Sequence, residues 1–201
     1  VYVAGTSDRK FSEVSRISGY ATVKYTSAGD TVWVRRYDGR DPNYENDGAF
    51  LAVDASGNVY FLASSGWDYV TIKYTSAGDT EWINRYSGSG NSEDASALAV
   101  DASGNVYVTG TSSGDFATIK YNSAGDTVWV RRYNRQGNSY DKAVALAVDA
   151  SGNVYVTGYS SGSGTYYDYA TIKYNSAGVE QWIAHYNGPG NFSIWANALT
   201  V

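Results

Sequence analysis

An all-β fold is predicted, on three observations. Tyr, Thr, Val and Trp, which suit pleated strands, are abundant, with 20 tyrosines in a chain of 201 residues. Gly, Ser, Asn and Asp gather in short clusters between them, as turns require. No stretch carries a helical period of apolar residues. The chain is organised around Leu98-Ala-Val-Asp-Ala-Ser-Gly-Asn-Val-Tyr-Val-Thr-Gly110, which returns letter for letter as Leu146 to Gly158. It returns again, altered in its second half, as Leu51 to Ala63. Its two halves stand at opposite ends: Val1-Tyr-Val-Ala-Gly5 opens the chain and Ala198-Leu-Thr-Val201 closes it.

Four units follow from this repetition. Trp33, Trp82, Trp129 and Trp182 mark them, as do Lys24, Lys73, Lys120 and Lys173, with tryptophan spacings of 47 to 53 residues. That period is too long for a helix-pair repeat and suits a four-stranded propeller blade. In the third unit, strand A is Ala97 to Val100, strand B is Asn105 to Gly110, strand C is Ala117 to Tyr121, and strand D is Thr127 to Tyr133. Short turns, Asp101 to Asn105 and Asn122 to Asp126, join A to B and C to D, and Gly104 supplies the left-handed conformation such a hairpin needs. The other connections vary. B–C is short at Ser64 to Asp68 and Ser112 to Asp115, but long at Ser7 to Gly19 and Ser160 to Asp168. The D–A loop differs in every unit. In an up-and-down sheet both variable connections fall on one edge, and variable loops gathered on one face mark a working face.

The whole chain, residues 1–201, is thus expected to be one four-bladed β-propeller domain of antiparallel blades. Blade one is residues 1–37 plus 198–201, blade two 49–86, blade three 97–133 and blade four 145–186. The chain starts at strand B and ends at strand A, so Ala198 to Val201 are expected to complete the first blade and remove open sheet edges. The 13 residues from Tyr186 to Leu199 equal the 13 from Tyr133 to Leu146, leaving no added linker for reaching a neighbouring molecule. Two chains sharing an eight-bladed ring is the alternative. A start inside a strand, with no Met, is read as a removed leader or as part of a longer product.

Composition narrows the function classes. A net charge of −5 with scattered Lys and Arg argues against nucleic acid. No apolar run approaches the roughly 20 residues of a membrane helix, so no membrane insertion is expected. There is no cysteine, hence no disulfide and no thiolate chemistry, which is compatible with an exported bacterial protein. His185 is the single histidine, and metal catalysis needs about three protein ligands. A Ser-His-acid triad would have to use this one histidine, so no enzyme, catalytic residue, metal or cofactor is expected. Asp54, Asp101 and Asp149 open the A–B turns; one carboxylate falls short of a calcium ligand set, and an Asx turn is the simpler reading. The strand C lysines are expected to meet an acidic group between blades or to reach outward. Arg35-Arg36 and Arg131-Arg132 read as edge protection. Asn191-Phe-Ser193 is an N-glycosylation sequon of low specificity.

One loop departs from the pattern. Asn91-Ser-Glu-Asp-Ala95 and Asn138-Ser-Tyr-Asp-Lys142 are matched in the last unit by Asn191-Phe-Ser-Ile-Trp195. Ile194 replaces an Asp, and Phe192 and Trp195 join it. The long B–C loops of the first and last blades add Phe11, Val14, Ile17, Tyr166 and Tyr167 to the same quadrant. Exposed apolar clusters with Trp and Tyr mark contact sites, so these eight residues are the candidate interface. The alternative is that the loops pack on one another as a mini-core.

The runs Val-Asp-Ala-Ser-Gly-Asn-Val-Tyr-Val-Thr-Gly and Ala-Thr-Ile-Lys-Tyr-Asn-Ser-Ala-Gly resemble the bacterial SBBP-type β-propeller repeat, a relative of NHL repeats. The resemblance covers essentially the whole chain. It implies strand A innermost, a secreted or cell-surface bacterial or archaeal protein, and a shared motif that is structural and not catalytic. Members usually build larger rings than the four units present here. The expected function is a non-enzymatic extracellular structural or adhesive module, contacting copies of itself or a cell-surface component, with a fibre or surface layer as one assembly. A carbohydrate-binding propeller is the alternative.

Overall fold

A computed structural model describes the chain apart from residues 11–15, 40–46, 89, 91, 136–139, 162–165 and 191, and the side chains of residues 9, 10, 16, 17 and 47. Every regular element among the described residues is a strand. They are β1 (Tyr2–Thr6), β2 (Arg9–Lys10), β3 (Arg16–Ile17), β4 (Gly19–Tyr25), β5 (Thr31–Asp38), β6 (Asp47–Val53), β7 (Val59–Ser65), β8 (Asp68–Tyr74), β9 (Thr80–Tyr86), β10 (Glu93–Val100), β11 (Val106–Ser112), β12 (Asp115–Tyr121), β13 (Thr127–Tyr133), β14 (Asp141–Val148), β15 (Val154–Ser161), β16 (Tyr167–Tyr174) and β17 (Glu180–Tyr186). They form a three-stranded sheet β1-β4-β5 and three four-stranded meanders, β6-β7-β8-β9, β10-β11-β12-β13 and β14-β15-β16-β17; β2 and β3 make a small hairpin. The chain divides into two compact units, Val1–Ala95 and Ser96–Val201, each carrying two of the main sheets.

The repeated sequence explains the repeated hairpins. Asp101 Oδ1 accepts the backbone N–H groups of Ser103 and Asn105, while Oδ2 accepts the Asn105 amide and the Tyr107 hydroxyl. Asp149 does the same with Ser151, Asn153 and Tyr155. The Asx turn is therefore the role of this carboxylate, and it locks the register of strands A and B.

Strand A starts earlier than the hydrophobic run suggests, at Asp47, Glu93 and Asp141. A register shift between Ala143 and Ala145 lets the acidic residue stay in the ladder. That bulge also accounts for the motif's closing glycine: Gly158 pairs with Ala143, and a β-carbon on it would overlap the Lys142 carbonyl. The first sheet ends at β1, and residues 192–201 form no strand, so the four-stranded first blade expected from Ala198 to Val201 is not made. In the other sheets strand A is tethered to strand B by a five-residue turn; this pairing would be a long-range closure with a larger entropic cost.

Within each unit the core lies between two stacked sheets. In the first unit it holds Tyr20, Trp33, Phe61, Val70, Ile72 and Tyr74; in the second, Tyr107, Phe116, Trp129, Val156, Ile172 and Tyr174. One tryptophan clamps each pair. The Trp129 indole N–H donates to the Ser176 carbonyl at 3.3 Å, Lys120 Nζ donates to the same carbonyl at 3.1 Å, and Arg131 Nε donates to the Gly178 carbonyl at 2.5 Å. Trp33, Lys24 and Arg35 repeat this on Ser76 and Gly78 at 3.3, 2.7 and 2.5 Å. The turn glycine is obligatory: Gly178 has φ of 77°, and a β-carbon there would stand 2.8 Å from the Trp129 ring.

The clamp corrects two readings of the sequence. Arg35 and Arg131 are inter-sheet donors and not edge charges. Of the strand C lysines, Lys73 meets an acid, Glu81 at 2.7 Å, in its own sheet, whereas Lys24 and Lys120 reach backbone carbonyls of the next.

Trp129→Ala should cost about 3–5 kcal/mol in urea unfolding, the range for a buried aromatic. Gly158→Ala should cost about 1–3 kcal/mol through overpacking against the bulge.

Candidate binding site

The loop-side end of the fourth sheet carries alternating side chains of two kinds. Tyr140 precedes Asp141 at the start of β14, Tyr159 precedes Ser160 near the end of β15, and Tyr167 precedes Asp168 at the start of β16. Because successive residues of a strand point to opposite faces, one row is aromatic and the other polar. The aromatic row runs Tyr140–Tyr159 with centroids 6.5 Å apart, then Tyr159–Tyr167 edge-to-face at 5.1 Å. Tyr166 meets Phe192 edge-to-face at 6.4 Å. The Ile194 N–H donates to the Tyr167 carbonyl at 2.8 Å, and Ser193 Oγ accepts the Tyr167 N–H at 3.2 Å, so the final segment is pinned beside β16.

The structure brings together four of the eight predicted interface residues, Tyr166 with Phe192 and Tyr167 with Ile194, and Trp195 follows Ile194 in the chain. Phe192 and Trp195 are open to solvent at 70% and 52%, Tyr166 is exposed, and Ile194 packs toward Gly188 half-buried. Tyr167 belongs to a strand and not to a loop. Phe11 and Val14 lie outside the described residues, as do the Ile17 side chain and the sequon residue Asn191. Tyr140 and Tyr159 were missed from sequence; the signal was the Tyr-polar pair repeated at three adjacent strand ends.

The polar row is interior. Asp141 is fully buried, its Oδ2 accepting the Arg135 N–H at 2.9 Å and its own N–H donating to the Gly114 carbonyl at 2.6 Å. Burial pushes the Asp141 carboxyl above the usual carboxylate range. Arg135 Nη1 pairs with Asp168 at 2.5 Å. His185 lies exposed on the edge strand β17, with its Nε2 2.7 Å from the Tyr133 hydroxyl. In the first unit the matching tyrosine, Tyr37, meets Arg85, which also pairs with Asp68 at 3.3 Å. His185 has taken the arginine's place, and Arg135 from the preceding loop covers Asp168 instead.

A cavity of about 390 Å³ opens at the other, turn-side end of the second unit, lined by Asp101, Tyr107, Lys120, Asp149, Ser151 and Ser176 among others. Both carboxylates there are filled by their own turns and Lys120 by the clamp, so its lining is structural. Among the described residues no three His, Asp or Glu side chains group as a metal site. No helix is long and apolar enough to cross a membrane.

Comparison with known proteins agrees with this architecture. Residues 81–117 and 128–164 match the β-propeller repeat family SBBP. A comparison with curated proteins gives no match. A solved structure from Lactobacillus plantarum is similar at TM-score 0.55 and 12% identity, over 85% of this chain and 53% of that one. A structure described as the eukaryotic initiation factor is similar at TM-score 0.51 and 8% identity, over 97% of this chain and 56% of that one. Virginiamycin B lyase from Staphylococcus aureus gives TM-score 0.48 at 10% identity, over 94% of this chain and 61% of that one. The chain thus spans little more than half the length of these proteins, and at such identities the likeness is one of fold. The fold is a β-propeller one, in four sheets.

His185 gives this end of the sheet a pH dependence. Desolvation, then the Arg135 charge, hold it below the ordinary value of 6.5, so the folded state favours the neutral ring. Stability conferred by His185 is then present above pH 6.5 and is lost as pH falls below it. Thermal melts of the native chain should fall more steeply between neutral and mildly acidic pH than those of His185→Gln.

Proposed function

We propose that the chain is a non-enzymatic, extracellular structural or adhesive β-propeller module that docks through the loop-side end of its fourth sheet onto a surface partner or another copy of itself. The observation that carries this reading is the aromatic row Tyr140–Tyr159–Tyr167 with the Tyr166–Phe192 pair beside it, together with the solvent exposure of Phe192 and Trp195. Aromatic side chains held by a rigid sheet lose little entropy on binding and serve as anchors. A non-enzymatic role is supported by His185, whose Nε2 is engaged by Tyr133 within the sheet stack. An extracellular setting is supported by the chain's resemblance to the SBBP-type repeat, which implies a secreted or cell-surface protein.

A glycan ligand is the second reading, favoured by the same tyrosine row, since flat rings spaced along one sheet edge suit stacking on successive sugars.

Phe192→Ala and Trp195→Ala should each weaken adhesion to cell-surface material or immobilised glycans by about tenfold or more while leaving the melting curve unchanged. A chain that binds neither, in plate and array formats, and that does not associate with itself refutes both readings.

A further inference from the structure

Two rows of contacts join neighbouring sheets inside each unit. One is the clamp, in which Trp33 or Trp129 covers the turn glycine Gly78 or Gly178. The other is at the loop side, where Tyr37 meets Arg85 and Tyr133 meets His185. On the far face of the fourth sheet the donor half of both rows recurs uncovered. Trp182 stands in the clamp position, 6.1 Å from Tyr155 as Trp129 is 6.3 Å from Tyr107, yet it is 41% exposed where Trp129 is 5%. Lys173 lies over the Tyr155 ring at 5.1 Å, as Lys120 lies over Tyr107, but donates to no carbonyl among the described residues. Tyr186, the counterpart of Tyr37 and Tyr133, is 57% exposed.

The matching socket recurs uncovered on the first sheet. Its turn, Thr26-Ser-Ala-Gly-Asp30, is identical in sequence to the occupied socket Thr75-Ser-Ala-Gly-Asp79. Gly29 has φ of 93° against 91° at Gly78, but its missing β-carbon would meet nothing within 4 Å, where Gly78 meets the Trp33 ring at 2.9 Å. The Ser27 carbonyl accepts no hydrogen bond among the described residues, whereas the Ser76 carbonyl accepts two. Arg36 occupies the place of Arg85.

We propose that the fourth sheet of one copy stacks on the first sheet of a second copy. Trp182 covers the second copy's Gly29 turn, the Trp182 N–H and Lys173 share its Ser27 carbonyl, and Tyr186 meets its Arg36. This surface is separate from the aromatic loop end and does not rest on that reading. The contact is head-to-tail, so it builds a closed particle if the rotation closes and a filament if it does not. It is also a weakened copy of the internal clamp: Ala184 stands where Arg35 and Arg131 donate to the turn-glycine carbonyl. Association is therefore concentration-dependent.

Sedimentation of the intact chain over a wide concentration range tests this. The native chain should form dimers or larger species. Trp182→Ala should raise the dissociation constant by about tenfold or more, and Ala184→Arg, restoring the third donor, should lower it by about tenfold, the effect of one charge-assisted hydrogen bond. Melting curves of both variants confirm that they fold, and the gain from Ala184→Arg does not depend on tolerating a deletion. A native chain and an Ala184→Arg variant that both sediment as single chains throughout overturn the proposal. So does association that is abolished by Phe192→Ala or Trp195→Ala and indifferent to Trp182→Ala and Ala184→Arg; that outcome leaves the loop-end reading standing.

Discussion

The seating of a tryptophan on a turn glycine is the contact on which the stacking of this protein depends. A sheet with apolar residues on both faces is stable only when another sheet covers it, and here that cover is positioned by three donors converging on two carbonyls of one turn. The indole supplies most of the apolar burial. The lysine and arginine satisfy carbonyls that would otherwise be desolvated without partners. Burial at the clamp is deep enough that Tyr174, packed 6.1 Å from Trp129, has its hydroxyl pushed up to about 12, chiefly by desolvation. Tyr74 beneath Trp33 is shifted to about 12 for the same reason.

The turn-side and loop-side ends of the sheets obey different constraints. At the turn side, each A–B carboxylate is fully used in holding five residues in place, which leaves that end little freedom to vary. At the loop side, contacts are made by whichever side chains the connections offer. Arg85 pairs with Asp68 in the second sheet; in the fourth, His185 replaces the arginine and Arg135 arrives from a neighbouring loop to neutralise Asp168. Such exchange is possible because the Coulombic requirement of a buried carboxylate can be met from several directions. The same latitude allows the fourth sheet to carry an aromatic row that the others lack.

Much of the fold was legible because it is encoded locally. Trp129, Lys120 and the Asp101 turn can be placed on their strands from periodicity and hairpin chemistry alone. Arg131 could not be understood that way, since an arginine on an outer strand looks the same whether it faces water or a carbonyl 47 residues away. The fate of Ala198 to Val201 was also out of reach, because the hydrophobic pattern specifies a strand-A segment but not whether anything pairs with it. At the candidate site, Phe192, Trp195 and Tyr166 stood out as departures from the repeat, whereas Tyr140 and Tyr159 became neighbours only once β14, β15 and β16 were side by side.

By itself, then, the sequence determined the strands, their hairpin turns and the four-fold repetition, because these depend on side-chain alternation and on a carboxylate reaching N–H groups two and four residues away. Only the tertiary structure decided which faces are covered. Trp129 and Trp182 occupy equivalent places in their repeats, and one is buried while the other is open, because burial is a property of the neighbouring sheet and not of the residue.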